Sequence, residues 1–332
     1  MLNRVLLVFS LWLVTMLYSC VGFANTDYAS QPIVKDFINK MVAQHNFDRG
    51  QLVRLFNEVK IRPKVMQSVK APLEQKPWYT YQTIFVTDQR IRQGVQFWNK
   101  YRDVLIRAEQ TYGVPASIIV ATIGVETKYG QNTGEYRVID ALANIGFSDS
   151  PRAKFFRSEL EEFLLLVREQ RLNPLDVMGS YAGAIGQPQF MPSSYRNYAV
   201  NFSGSGKIDL SHNEVDVIGS VANYYHKHGW TTNQPVAIPA SYTGGKYQFN
   251  WPRSRSISKS ELLEYGLIPD EQFLKSQKFR ILELEGYYGN EYWMSFHNFD
   301  VIKRYNPSDL YAMAVYQLSY FITSLREKLN NV

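Results

Sequence analysis

The stretch Ala116-Ser-Ile-Ile-Val-Ala-Thr-Ile-Gly-Val-Glu126 carries no charge until its last residue. Pro115 suits the first turn of a helix, where its missing N–H costs nothing. The apolar residues that follow wrap more than one face, the pattern of a helix buried on all sides. On helical spacing Ile119, Ile123 and Glu126 share a face, so the carboxyl group projects beside hydrocarbon. Burial disfavours its charged form, and the negative end of the helix macrodipole acts in the same direction. The reading therefore predicts an acid able to donate a proton near neutral pH. A helix-end Glu turned to solvent, or paired with Lys128, fits the same residues.

Outward from this segment the chain reads as helices. Short amphipathic pieces over 31–69 are broken near Asp48 and Pro63, with Ile33, Phe37, Ile38 and Met41 as the apolar side of the first. A longer helix follows, with Thr87 as N-cap, Ile91, Val95, Trp98, Leu105 and Ala108 at helical spacing, and Gly113 as a left-handed stop. Phe155 to Arg171, Val215 to His228 and Leu310 to Leu329 have the same period, the second closed by Gly229. The texture changes between about 234 and 303. Pro235 to Ala240, Lys246 to Trp251, Phe279 to Glu285 and Tyr292 to Val301 are short, aromatic or β-branched runs separated by Gly244-Gly245 and Gly289-Asn290. Within that region Ser258-Lys-Ser-Glu261 reads as a capping box, with Ile257 as its hydrophobic staple and Gly266 as the stop.

With 332 residues, 45% hydrophobic and 14% aromatic, the chain suffices for roughly two domains with their own cores. The net charge of +6 is spread along the chain without a basic stripe, which argues against nucleic acid as partner and toward an anionic polymer of the cell envelope. Arg4 precedes an apolar run of about a dozen residues, short for a membrane span and suited to an export signal. Two processing sites compete. Leu17-Tyr-Ser-Cys20 has the outline of a lipobox, although Tyr18 departs from it, and Gly22-Phe-Ala24 suits ordinary signal peptidase. Cys20 is the one cysteine in the chain, so the expected form is a lipoprotein anchored through Cys20, with a soluble periplasmic form as the alternative. No disulfide is available to hold the fold.

The run Met178-Gly-Ser-Tyr-Ala-Gly-Ala-Ile-Gly-Gln-Pro-Gln-Phe-Met-Pro-Ser-Ser-Tyr195 has no charged residue. Its glycines permit close backbone approach, and Ser180, Tyr181, Gln189, Phe190 and Tyr195 supply hydrogen bonds and ring faces of the kind a sugar needs. A glycine-rich turn leading into a helix accounts for the same composition. His226 and His228, two apart at a helix end, point in different directions and make a poor zinc pair.

Four motifs in order, Ile123-Gly-Val-Glu-Thr-Lys-Tyr-Gly130, Gly179-Ser-Tyr-Ala-Gly-Ala-Ile-Gly186, Gln189-Phe-Met-Pro-Ser-Ser-Tyr195 and Ile218-Gly-Ser-Val-Ala-Asn-Tyr-Tyr225 with His228-Gly-Trp230, resemble the membrane-bound lytic transglycosylase B family. The resemblance runs from about residue 30 to the C-terminus and includes Tyr305-Asn306 and Tyr311-Ala-Met-Ala-Val315. It implies an α+β, mainly α fold: a lysozyme-like catalytic core over 113–233, a helical domain over 30–112 completed by 305–330, and a small β-rich insertion over 234–303, after a signal of 1–20 (or cleavage after 24). It also implies non-hydrolytic cleavage of the β-1,4 bond between N-acetylmuramic acid and N-acetylglucosamine in peptidoglycan glycan strands, with a 1,6-anhydro product, at an enzyme anchored to the outer membrane. Glu126 matches the catalytic acid/base of the family. Ser180 and Gln189 match polar active-site positions, and Tyr81, Arg152, Phe190, Tyr224, Tyr305, Asn306 and Tyr311 match residues along the glycan groove. Two other classes fit the residues: a hydrolytic muramidase using Asp140 or Glu135 as second carboxylate, and a non-catalytic peptidoglycan scaffold.

The family places calcium in a loop that Asn201-Phe-Ser-Gly-Ser-Gly-Lys-Ile-Asp209 resembles. Here Asn201, Ser203 and Ser205 stand at positions that normally carry carboxylates and His212 at the usual bidentate acidic position; Gly206 makes the turn with Lys207 and Ile208 after it, and Asp209 and Asp216 remain. No cofactor is required for the reaction, and Ca2+ affinity is expected to fall sharply.

Overall fold

A computed structural model of the chain describes residues 27–69, 76–244, 258–269 and 278–331. The expected export signal, Cys20, the strand over Lys246 to Trp251 and Ile257 lie outside the described residues. Among those described, the fold is mainly helical with small antiparallel sheets.

The chain divides into two compact units, the first ending at Val59 and the second beginning at Lys60. In the first, α1 (Pro32–His45) buries Val34, Phe37, Ile38 and Met41, and α2 (Arg49–Asn57) buries Leu52 and Phe56. Phe37 meets Phe56 edge to face at 5.8 Å. Asp48 caps α2 by accepting from Gln51 N at 2.7 Å, which is why the helical pattern breaks there.

The second unit runs α3 (Pro63–Val69), α4 (Trp78–Phe85), α5 (Asp88–Lys100), α6 (Arg102–Tyr112), α7 (Ala116–Thr127), β1 (Tyr136–Arg137), α8 (Val138–Gly146), α9 (Ala153–Glu169), β2 (Met178–Gly179), α10 (Pro192–Tyr198), α11 (Glu214–Lys227), β3 (Ala237–Tyr242), α12 (Lys259–Glu264), β4 (Leu267–Pro269), β5 (Arg280–Gly286), β6 (Gly289–Ser295), α13 (His297–Ile302) and α14 (Asp309–Asn330). Thr87 caps α5 by accepting from Arg90 N, and Gly113 ends α6 at φ 71°. The single long helix expected between those two signals is two helices, broken at Tyr101 with φ −110° and ψ 27°. Tyr101 donates its N–H to Phe97 O and accepts from Leu105 N. A one-residue break bridged this way leaves the apolar period intact, so spacing alone does not reveal it.

Helix α7 is the axis of the unit. Between Ala116 and Thr127 all residues except Ser117 and Glu126 are buried, and α5, α6, α11 and α14 pack around it. The C-terminal helix α14 also contacts α4 and α5, so the end of the chain returns to helices that come early in it.

Strands β4, β3, β6 and β5 form one antiparallel sheet in that order. Ile238, Leu262, Leu267, Phe279, Ile281, Met294 and Phe296 form its core. Ser258 and Glu261 form the expected capping box at α12. The β5–β6 hairpin turns at Tyr287-Tyr288, with Gly286 paired to Gly289. The strand expected to continue to Val301 stops at Ser295, and 297–302 is helix α13. Beyond Phe296 the buried residues Phe299 and Ile302 follow at intervals of three, a helical spacing. Buried Asn298 accepts from Thr231 N and donates to Thr231 O and Gln234 O, tying this turn to the chain that enters the sheet.

Candidate active site

Glu126 lies one residue before the end of α7 and is partly buried. It lines a cleft of about 440 Å³ together with Gln131, Thr133, Gly134, Glu135, Ser180 and Gln189, with Asn132, Tyr136 and Tyr181 completing the lining. The wall opposite the 131–136 loop rests on main chain at contact distance. Gly134, at φ +99°, backs onto Gly179 so closely that a Cβ would stand 2.1 Å from the Gly179 oxygen. A Cβ on Gly179 would in turn come within 2.2 Å of Ala184 O. Only glycine permits this stacking, and the β1–β2 pairing of Tyr136 with Gly179 fixes its register.

Ser180 and Gln189 are held by that same backbone. Ser180 Oγ accepts from Ala184 N at 3.1 Å and Ala182 N at 3.3 Å. Gln189 is left-handed at φ 50°, and its Nε2 donates to Gly186 O at 2.9 Å and Thr133 O at 3.0 Å. The amide bridges both sides of the cleft, and its planarity sets where its oxygen stands.

Behind the carboxylate is a layer of tyrosines. Tyr311, 3% exposed on α14, donates to Glu126 Oε1 at 2.5 Å. Tyr305 stacks on Tyr311 at 6.3 Å and 16° and donates to Pro188 O at 2.6 Å. Tyr224 packs 4.7 Å from Tyr305, donates to Arg304 O at 2.6 Å, and lies against Phe190 at 5.5 Å. Tyr225 shares a 2.8 Å hydrogen bond with Thr122 of α7. Burial, and after it the charge of Glu126, push the Tyr305 and Tyr311 hydroxyls well above the usual tyrosine range. Protonated and buried, these hydroxyls act as fixed donors.

The structure therefore gathers Glu126, Ser180 and Gln189 at one cleft and sets Phe190, Tyr224, Tyr305 and Tyr311 as its aromatic backing. Asn306 follows Tyr305 and is partly buried. Two further expected groove residues, Tyr81 and Arg152, are not among the residues lining this cleft. Tyr81 is 1% exposed and packed on Phe85 at 4.6 Å. Arg152 is exposed at the start of α9, its guanidinium 5.3 Å from the Phe155 ring and 5.1 Å from Phe156. Sequence reading missed Tyr225 and Gln131. Tyr225 follows Tyr224 in its motif, but successive helical residues point about 100° apart, and only the neighbour on α7 shows which way Tyr225 faces.

The other carboxylates differ in kind. Asp140 is fully buried and bound to Arg137 at 2.7 Å and Arg62 at 3.2 Å, and it accepts from Lys60 N. Its oxygens are committed to structure. Glu135 is exposed and lines the cleft. His226 and His228 serve their helix end, with Nδ1 atoms 3.1 Å from Tyr112 O and 2.7 Å from Tyr224 O.

The calcium-like loop is braced internally. Asp216 is buried and accepts from Ser203 N, Asp209 N and Asn213 Nδ2. Ser203 Oγ donates to Asn201 Oδ1 and Ser205 Oγ to Lys207 O. Asp209 Oδ1 takes the N–H groups of Ser211 and His212. Two carboxylates, Asp216 holding three donors and Asp209 holding two, with neutral oxygens at the other positions, are a poor donor set for a hard divalent cation, which needs charge from its oxygens. The residues present do not fit calcium.

A helical core presenting Glu126 in a polar cleft with Glu135, Ser180 and Gln189, backed by aromatic rings, defines a polysaccharide-cleaving enzyme of the lysozyme-like kind. Residues 29–320 match the transglycosylase SLT domain. The chain is 43% identical over 310 residues to membrane-bound lytic murein transglycosylase B of Escherichia coli (strain K12), covering 90% of this chain and 85% of that protein. The soluble lytic transglycosylase SltB1 from Pseudomonas aeruginosa superposes with a TM-score of 0.82 at 46% identity, covering 89% of this chain and all of that one. The Escherichia coli lytic transglycosylase Slt35, solved in complex with calcium, gives 0.83 at 42%, with 90% and 95% covered. The chain belongs to the lytic murein transglycosylase family, enzymes whose general activity is non-hydrolytic cleavage of the glycan strand with a 1,6-anhydro product.

Proposed function

We propose that Glu126 carries out both proton transfers of this reaction. As the acid it protonates the glycosidic oxygen between N-acetylmuramic acid and N-acetylglucosamine, and the bond from that oxygen to the muramic C1 breaks. The carboxylate left behind takes the proton of the C6 hydroxyl on the same muramic residue, and the C6 oxygen closes on C1. No water enters, so a second carboxylate of the ordinary glycosidase pair has no task. The tethered hydroxyl supplies the advantage of an intramolecular nucleophile, provided the cleft holds the ring in place. Tyr311 orients the carboxylate, and Ser180 and Gln189 face the sugar from the opposite wall, with Phe190, Tyr224 and Tyr305 stiffening the backing.

The observation that carries this reading is the hydrogen bond from Tyr311 to Glu126 at the cleft, together with the commitment of Asp140 to two arginines. Glu135 in the cleft lining favours the hydrolytic alternative, and product mass separates the two. Purified cell-wall sacculi digested by the wild type are expected to yield fragments one water lighter than reducing-end sugars. Reducing ends as the main product would overturn the reading. Glu126→Gln is expected to lower turnover by about 10²–10⁴-fold while leaving glycan binding in place, and unimpaired digestion by that variant would remove Glu126 from the mechanism.

The proposed domain boundaries fall at 112/113 and 233/234, the second supported by the four-stranded sheet, whose described strands lie within 237–295. The proposed location is the periplasmic face of the outer membrane, held through lipidated Cys20. Its support is the lipobox-like sequence before Cys20 and the membrane-bound character in the name of the Escherichia coli relative.

A further inference from the structure

The turn that follows Glu126 runs against the ordinary preference of its residues. Lys128, Tyr129 and Gly130 have φ values of 51°, 61° and 85°, three left-handed residues in succession. Glycine or asparagine is the common choice where a helix ends this way, and a residue with a Cβ is disfavoured there. Strain of this sort persists only where the surroundings over-determine it, and such outliers cluster at active sites.

The surroundings of this turn are specific. The Tyr129 hydroxyl donates to the main-chain carbonyl of Arg90 on α5 at 2.9 Å. Its ring lies 5.5 Å from that of Phe97. A Cβ on Gly94 would stand 2.5 Å from the Tyr129 hydroxyl oxygen, and a Cβ on Gly124 would stand 2.5 Å from the same atom and 2.7 Å from Cζ. Helices α5 and α7 thus both lack a side chain where this one ring passes, and Gly124 is two residues before Glu126. The accepting carbonyl is itself anchored, because the buried Arg90 guanidinium donates to Ile84 O at 2.6 Å. On the other flank of Glu126, Thr127 Oγ1 donates to Gln187 O at 2.8 Å and accepts from Gly130 N at 3.0 Å.

We propose that Tyr129 is a positioning residue for the reaction. By tethering the left-handed turn to the Arg90 carbonyl it fixes the backbone of Glu126, and with it the direction of the carboxylate that Tyr311 holds at its far end. The inference rests on the reading of Glu126 as the acid/base. Its physical basis is that a misplacement of about 1 Å in a reacting group costs on the order of 10²-fold in rate.

Tyr129→Phe removes the hydroxyl and keeps the ring. Tyr316→Phe is the matched control, since Tyr316 likewise donates to a main-chain carbonyl, that of Ala237, at 2.7 Å, and lies outside the turn. Both are compared with the wild type and Glu126→Gln on soluble glycan strands, at a temperature where near-ultraviolet circular dichroism shows native packing. For Tyr129→Phe the expected result is a kcat lowered about ten- to a hundred-fold, a KM within about twofold, and a displaced limb in the pH dependence of kcat. Tyr316→Phe is expected to lower Tm with kcat and its pH profile unchanged. Wild-type kcat and pH profile in Tyr129→Phe, or equal losses of kcat in both variants, would overturn the positioning role. So would a Tyr129→Phe that does not fold, because the hydroxyl would then be a determinant of folding. Full turnover in Glu126→Gln would instead remove the reading on which the inference stands, whatever Tyr129→Phe does.

Discussion

Tyr311 and Tyr305 show what a hydroxyl gains from being buried beside an acid. In the fold both ionise well above the ordinary tyrosine range, first because burial disfavours tyrosinate and then because Glu126 repels it. In the unfolded chain they return to about pH 10. A folded-state pKa raised above the unfolded one gives stability that is fully present below pH 10 and lost as pH rises toward the folded value, because the native state then holds protons that the unfolded state releases. Denaturant unfolding followed from neutral pH to pH 11 is expected to show stability falling steeply above about pH 10, and Tyr311→Phe is expected to flatten that fall. An unchanged slope in the variant would count against the burial of this hydroxyl. Glu126 itself is legible in the sequence, as the single charge closing an apolar helix. Its partner is not, since Tyr311 is 185 positions away and no local pattern joins the two.

Among helices, strands and loops, legibility follows the physics of each signal. Thr87, Gly113 and the Ser258–Glu261 box act through hydrogen bonds or torsions within a few residues, so their chemistry is local and readable. The break at Tyr101 is bridged by hydrogen bonds that leave the apolar period unchanged, and the end of β6 at Ser295 depends on Asn298 binding the 231–234 chain. The loop from Asn201 to Asp216 is a further case. A loop of carboxylates repels itself until a cation neutralises it, whereas hydroxyls bring both donors and acceptors and can satisfy one another. With Ser203 and Ser205 closing onto Asn201 and Lys207, thermal unfolding is expected to give the same Tm, within about 1 °C, in millimolar calcium and in chelator. By linkage, a site filled at 100 times its Kd would add about 2.7 kcal/mol, which a melting curve resolves easily. A clear rise in Tm with calcium would show that the neutral oxygens suffice.

For the protein taken entire, the question is where a glycan-cleaving cleft meets an insoluble wall. No helix among the described residues is long and apolar enough to cross a membrane, and the proposed attachment is through Cys20. A single acyl chain binds membranes only marginally, and stable anchoring takes more than one. The diacylglycerol and third acyl chain of a processed lipoprotein would meet that need. Cells fed an alkyne analogue of palmitate are expected to label the wild-type protein and not Cys20→Ala, and the variant is expected to move to the soluble periplasmic fraction. Absence of label on the wild type would favour processing after Ala24.

The close stacking of Gly134 on Gly179, and of Gly179 on Ala184, places peptide groups where most pockets place side chains. A wall made of peptide groups offers the same carbonyls and amides whatever residues are substituted around it, and here even a methyl group cannot be added without parting the strands. Altered sugar preference in a lineage carrying this wall would then have to be written in the side chains around the glycines, at Gln131, Thr133, Glu135 and Tyr181.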